Sequence, residues 1–388
     1  MSRLFAFVIA ALLSTQAAGA ETGSASLSDM ADELQRIQIR IAHGDKAAYE
    51  GQLAQLKAMG AAIAAAKPET WREKREADAL VVYVLSGGSL AEAAPLVKGD
   101  ALAESERALA RGSVAYITNH EAEAFRVLGA IDPGALDVRL AGQVTFARSV
   151  LETKRDRKAA VSLLDWARLL APGGLVEEAA LRREIAILVE AKDVSRAARL
   201  TREYAIRFGA SLYRPGFFRE LARLIGGNGL VEDPANYRLF STAATALPSE
   251  GRLDFLLTLA KASIVNGRFK AASAAASEAL TSASPNSPEE ARSRLYLNAA
   301  RIFSDGYESA LANLQGLANA RLDRSDSALL AAFRDAAEQF RLAPSPAAID
   351  AQAASAGEEK KGAAMTIRDA EAALRRTASL AEAAGGGP

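Results

Sequence analysis

Few side chains in this sequence are of a type and spacing that could do chemistry. There are two histidines, His43 and His120. They stand far apart, and His120-Glu121 lacks the second histidine that a zinc-binding helix needs. Both fall in predicted turns, where a solvated imidazole is the expected state. No Gly-Lys-Ser/Thr occurs, and Gly226-Gly227-Asn228-Gly229 lacks the preceding strand of a phosphate-binding turn. Gly209-Ala210-Ser211 does not continue to the glycine that a nucleophile elbow requires. Adjacent carboxylates such as Glu177-Glu178 do not face each other on a helix, and they read as a solvated surface. No set of residues meets the geometric roles of an active site, so neither an enzyme nor a cofactor is expected.

Charge and aromatic placement point instead to binding. Residues 139–223 hold 17 basic and 10 acidic residues, a balance of +7. Residues 21–138 hold 12 and 18, giving −6, and residues 224–388 hold 17 and 19, giving −2. Within the basic stretch Tyr204, Phe208, Tyr213, Phe217 and Phe218 interleave with Arg202, Arg207, Arg214 and Arg219. Arginine and aromatic side chains dominate protein interfaces, which makes this cluster a candidate partner-binding surface. The competing reading places the rings in the core and the arginines on the wet side of the same helices.

The elements that must position these residues are helices. Alanine is abundant, aromatics are 6% and β-branched residues are sparse. Leu253, Leu256, Leu257, Ala260 and Ile264 share one helical face, as do Leu181, Ile185 and Leu188. Ser287-Pro288-Glu289-Glu290 and Asp233-Pro234 read as helix starts, as do Asp132-Pro133 and the capping box Thr70–Glu73. Short turns fall at Gly44, Gly87, Asn119, Asp156, Asp193, Leu230, Arg268 and Asp305. From Asn119 onward the intervals are 37, 37, 37, 38 and 37 residues. Small residues follow several turns, as in Ala159-Ala160, Ala197-Ala198 and Ala271-Ala272. A fixed period of this length predicts an all-α solenoid of stacked helix pairs, a degenerate tetratricopeptide-like array.

The ends differ from this body. Residues 1–20 have a basic start, an apolar run from Leu4 to Leu13 and small residues at Ala18 and Ala20. That is the pattern of a secretory signal peptide cleaved after Ala20, which predicts an exported protein. The mature balance is then 46 − 47 = −1, which gives no reason to expect nucleic acid. No later stretch is apolar enough for a membrane span. With no cysteine, an exported chain has no disulfides and must rely on a hydrophobic core. The solenoid is expected over 21–342, an Ala/Ser/Pro linker over 343–362, and a last helix and tail over 363–388. That helix carries a stripe of Ile367, Ala370, Leu374 and Ala378, suited to capping the stack, with binding of a partner as the alternative. Only 46 residues follow Leu342, too few for the catalytic domain of a helical-arm lytic transglycosylase.

Asp165-Trp166-Ala167-Arg168-Leu169, Ala171-Pro172-Gly173 and Glu177-Glu178-Ala179-Ala180-Leu181-Arg182-Arg183 closely resemble the chemotaxis and motility protein family MotC of α-proteobacteria. Gly44-Asp45, Tyr83 to Gly88, and Tyr204 to Tyr213 are similar to further segments of that family. The resemblance spans about Leu34 to Leu342 and is diffuse outside Asp165–Arg183. It implies a periplasmic protein needed for flagellar rotation, acting with the periplasmic part of the stator protein MotB. A generic periplasmic scaffold with another envelope partner is the alternative.

Overall fold

The computed structural model describes residues 25–302 and 307–342. The expected signal peptide, the turn at Asp305, the linker and the last helix lie outside the described residues. Within them every regular element is helical. The α-helices are α1 (Leu27–Ala42), α2 (Lys46–Ala65), α3 (Lys74–Leu85), α4 (Leu90–Lys98), α5 (Glu104–Ile117) and α6 (Glu121–Gly129). They continue with α7 (Val138–Glu152), α8 (Arg157–Leu170), α9 (Leu175–Glu190), α10 (Val194–Arg207), α11 (Arg214–Gly227) and α12 (Pro234–Ala244). The last are α13 (Ser249–Val265), α14 (Phe269–Ser282), α15 (Pro288–Arg301), α16 (Tyr307–Gly316) and α17 (Arg324–Leu342).

The turns do what their residue types allow. Gly44 and Gly87 take φ of 89° and 90°, and Asn119 takes 57°, a region where glycine and asparagine are favoured. Asp156, Asp193 and Asp233 cap the starts of α8, α10 and α12 by accepting backbone N–H bonds. Ser287 caps α15 in the same way. Two expected starts differ. Asp132 caps a 3-10 turn at Pro133–Ala135, and Asp137 caps α7 itself. Thr70 lies inside the 3-10 segment Pro68–Arg72, and Glu73 starts α3 without a side-chain cap. Pro68 draws the chain into that tighter turn one step before α3 begins.

From α7 onward the helices stack as pairs in two layers. Odd-numbered helices pack on one another in sequence and carry most of the core. Even-numbered helices cover one side of them. The small residues after the turns make the approach close: Ala160, Ala197, Ala198, Ala271 and Ala272 are all buried. A Cβ built on Gly142 of α7 would lie 2.5 Å from Cβ of Ala171, so a larger residue there would push α7 from the end of α8.

The N-terminal hairpin departs from simple stacking. Helix α1 packs on α9 as well as beside α3, and its side chains reach α7. Gln35 donates to the Arg139 carbonyl at 2.7 Å, and Arg139 bonds Asp32 at 3.3 Å. Gln38 and Gln143 both donate to the Ser86 hydroxyl. Ile37, Ile41 and Ala48 form a small apolar cluster against Leu175 and Tyr213. The turn between α1 and α2 thereby reaches the turn between α10 and α11. A Cβ on Gly44 would sit 2.3 Å from the Ala210 carbonyl oxygen, and His43 stacks on Phe208 with centroids 6.3 Å apart.

Candidate functional site

Helix α9 is the centre of the candidate site. It follows the Ala171-Pro172-Gly173-Gly174 turn, in which Gly173 takes φ of 79°. Three carboxylates of α9 point into the protein, and each is buried. Glu177 accepts the Gly173 N–H at 2.5 Å and the Arg207 guanidinium at 2.6 Å. Glu178 accepts the Tyr204 hydroxyl at 2.8 Å and the Ser211 hydroxyl at 2.6 Å. Glu184 accepts Arg168 at 3.1 Å and Arg196 at 2.7 Å. The expected solvated surface at Glu177-Glu178 is therefore corrected to a buried, bonded pair. Local spacing could not show this, because the side-chain partners Tyr204, Arg207 and Ser211 come from α10 and the loop after it.

These partners make the burial tolerable. An unpaired buried carboxylate is far costlier than one held by cations and hydroxyls. Arg168 also reaches Glu203 at 2.7 Å, and Arg196 reaches Asp165 at 2.6 Å. A five-membered ionic network thus ties α8, α9 and α10 together. Burial raises the pKa of Glu184, the neighbouring Asp165 adds to the rise, and Arg168 and Arg196 oppose it. Burial also raises the Tyr204 pKa, and the charge of Glu178 pushes it in the same direction.

The cluster of rings and arginines separates into two kinds of residue. Tyr204, Phe208, Phe217 and Phe218 are buried. Tyr204 packs 4.5 Å from Phe217 and 5.7 Å from Phe208, and Phe218 meets Phe255 edge-on at 5.9 Å, between ring centroids. Their place on an accessible surface is corrected to the core between α10, α11 and α13. Helical spacing puts Tyr204 and Phe208 on the inward face of α10, where their area is worth most. Tyr213 is half-buried, with the Arg182 guanidinium 5.1 Å above its ring. The arginines face water in different directions. Arg202 lies on the outer side of α10, exposed and without an ion pair among the described residues. Arg207 turns back to Glu177. Arg214 donates to the Gly209 carbonyl, and Arg219 stands 3.7 Å from Asp254. His43 and His120 are both exposed turn residues.

Two grooves open beside this unit. One, of about 650 Å³, runs between α11, α13 and α15. Arg214, Arg219, Arg292, Glu250, Asp254 and Glu289 line it together with the apolar Phe218, Leu253 and Leu257. The other, of about 630 Å³, lies between α7, α9 and α11. Its floor holds Phe146, Phe217, Leu221 and Leu224, and its rim holds Arg182, Arg183 and Arg223 with Glu190 and Glu220. The outward residues of the Glu177–Arg183 segment thus line a groove, while its inward acids hold the helices. A mixed-charge rim over an apolar floor suits a protein segment. Sequence reasoning did not find either groove, since each is assembled from helices about 37 residues or more apart. Among the described residues no group of His, Asp or Glu side chains is placed to hold a metal ion.

Comparison with known proteins gives consistent results. The family model described as "Chemotaxis protein MotC" matches residues 1–386. The chemotaxis protein MotC of Rhizobium meliloti (strain 1021) is 27% identical over 341 residues, covering 86% of this chain and 78% of the relative. No solved structure matches.

Proposed function

The chain belongs to the chemotaxis protein MotC family, and from that premise we propose that it is a non-catalytic periplasmic accessory of the flagellar motor that binds the periplasmic part of the stator protein MotB. Family membership makes it a protein of motility and chemotaxis. The observation that carries the finer reading is the pair of grooves flanking α11, which offers a stacked-helix surface long enough for an extended partner. Arg214 and Arg219, from the basic cluster, line one of them. Binding there could favour rotation only if the partner's active conformation is held more tightly than its inactive one.

A clean deletion scored for swimming in soft agar, with filaments viewed by electron microscopy, tests the motility role. Flagellated cells that do not rotate are expected, and cells that swim normally would refute it. A pull-down of the MotB periplasmic domain tests the partner. Charge reversal at Arg214 and Arg219 should weaken capture, since interface arginines contribute about 1–4 kcal/mol each when central. Paralysed cells without MotB capture would assign the scaffold to another envelope partner.

A further inference from the structure

We propose that the outer face of α8, α10 and α12 is a docking surface for an anionic phospholipid membrane. The repeat builds the face twice over. On α8, Lys158, Ser162, Asp165 and Leu169 fall on one line at steps of four, three and four. Thirty-seven residues later, Ser195, Arg199, Arg202 and Ile206 hold the same places on α10. Helix α12 adds Arg238 and Leu239. Arg196 of α10 bonded to Asp165 of α8, and Arg168 of α8 bonded to Glu203 of α10, join the first two helices into one surface.

Those same bonds use up the acids. Asp165 is held by Arg196 and Arg168, and Glu203 by Arg168. Asp156, Asp193 and Asp233 sit at the opposite ends of the three helices, where they cap the first turns. Arg199, Arg202 and Arg238 are exposed and make no ion pair among the described residues. Beside them stand Leu169 at 80% exposure, Ile206 at 61% and Leu239 at 42%. Leu169 is the most exposed large apolar side chain among the described residues.

Free cations interleaved with protruding aliphatic side chains match a surface that is negative outside and apolar just beneath. The guanidiniums would stay at the phosphates while leucine and isoleucine enter the acyl boundary. No residue of α10 or α12 lines the grooves described above.

The test is flotation of the full chain with vesicles of one part phosphatidylglycerol to two parts phosphatidylcholine, beside pure phosphatidylcholine vesicles. Flotation with the anionic vesicles alone, reversed by salt, is expected. Arg199→Gln/Arg202→Gln/Arg238→Gln should lower partitioning about 100-fold, since each cation near an anionic surface contributes roughly 1 kcal/mol. Leu169→Gln/Ile206→Gln should lower it about tenfold with the charge unchanged. The substituted side chains are exposed and glutamine is a good helix former, so melting curves should match the parent and separate misfolding from lost binding. Absence of flotation, or flotation untouched by both variants, overturns the proposal. Capture by immobilised polyglutamate without flotation would also overturn it, and would give the face to an acidic protein.

Discussion

The contact between two turns more than 160 residues apart can be isolated with a matched pair of substitutions. Gly44 and Gly87 have nearly the same φ, 89° and 90°. Alanine at either position meets the same left-handed strain, on the order of 1–2 kcal/mol. Their surroundings differ. Nothing lies within 4 Å of a Cβ on Gly87, whereas a Cβ on Gly44 would be 2.3 Å from the Ala210 carbonyl oxygen. Ordinary contact begins at 3.4 Å, so the α1–α2 turn must retreat by about 1 Å from the α10–α11 turn. Overpacking of that kind costs about 1–3 kcal/mol, and it falls on backbone that has no rotamer to yield. We therefore expect Gly87→Ala to cost about 1–2 kcal/mol and Gly44→Ala about 2–5 kcal/mol. The assay is amide hydrogen exchange of α1, which reads local opening even where a repeat array does not unfold in one step. Protection in α1 should fall in Gly44→Ala and hold in Gly87→Ala. Equal effects within about 0.5 kcal/mol would refute the docking of the two turns.

Other substitutions probe the buried polar groups. Glu184→Gln leaves Arg168 with Glu203 and Arg196 with Asp165. Its cost in urea unfolding should be about 2 kcal/mol, below the 3–5 of a fully broken buried pair, and a value near zero would show that the network adds no stability. Tyr204→Phe leaves Glu178 bonded to Ser211 alone and should cost about 1–3 kcal/mol, with non-additivity against Ser211→Ala as the check. Hydrogen bonding from Arg139 holds the Asp137 carboxyl down at about 2, below its ordinary 3.8. Because the folded pKa is the lower one, this stability is present above pH ~4 and is lost as the pH falls towards 2. Asp137 is about a third exposed, so screening leaves an effect of about 1 kcal/mol, which Asp137→Asn should remove from the acid limb of the stability curve.

What the sequence disclosed was local. Gly44, Gly87 and Asn119 disclosed their turns because positive φ selects their types. Asp156 and Asp193 disclosed helix starts because a carboxylate there satisfies free N–H groups. Equal spacing of these marks was enough to reach stacked helix pairs. What stayed hidden depends on neighbours distant along the chain. Tyr204 and Phe217 alternate with arginines as an interface would, yet they are core because α9, α11 and α13 close over them. Glu177 and Glu178 look solvated until Arg207, Tyr204 and Ser211 are placed beside them. The reach of α1 to α7 joins Gln35 to Arg139 across 104 residues, and no period of 37 announces it.

Buried or half-buried acids recur at comparable junctions, and the alanine content explains why they are needed. Helix α14 packs through Ala271, Ala272, Ala275, Ala276 and Ala279, all buried. Alanine faces bring helices close, but they offer few knobs to resist sliding or rotation. Directional bonds supply what shape does not. Glu278 of α14 takes bonds from Tyr237 and Ser241 of α12 and from Arg252 of α13. Asp326 of α17 takes them from Lys261 of α13 and from Arg292 and Tyr296 of α15. Glu184 does the same for α8 and α10. Each acid therefore binds groups from two other helices at once, and only one register satisfies all of its bonds. A surface spread over several helix pairs keeps its geometry only if those registers are held. On this reasoning the grooves beside α11 and the outer face of α8, α10 and α12 depend on these inward-turned carboxylates for their shape.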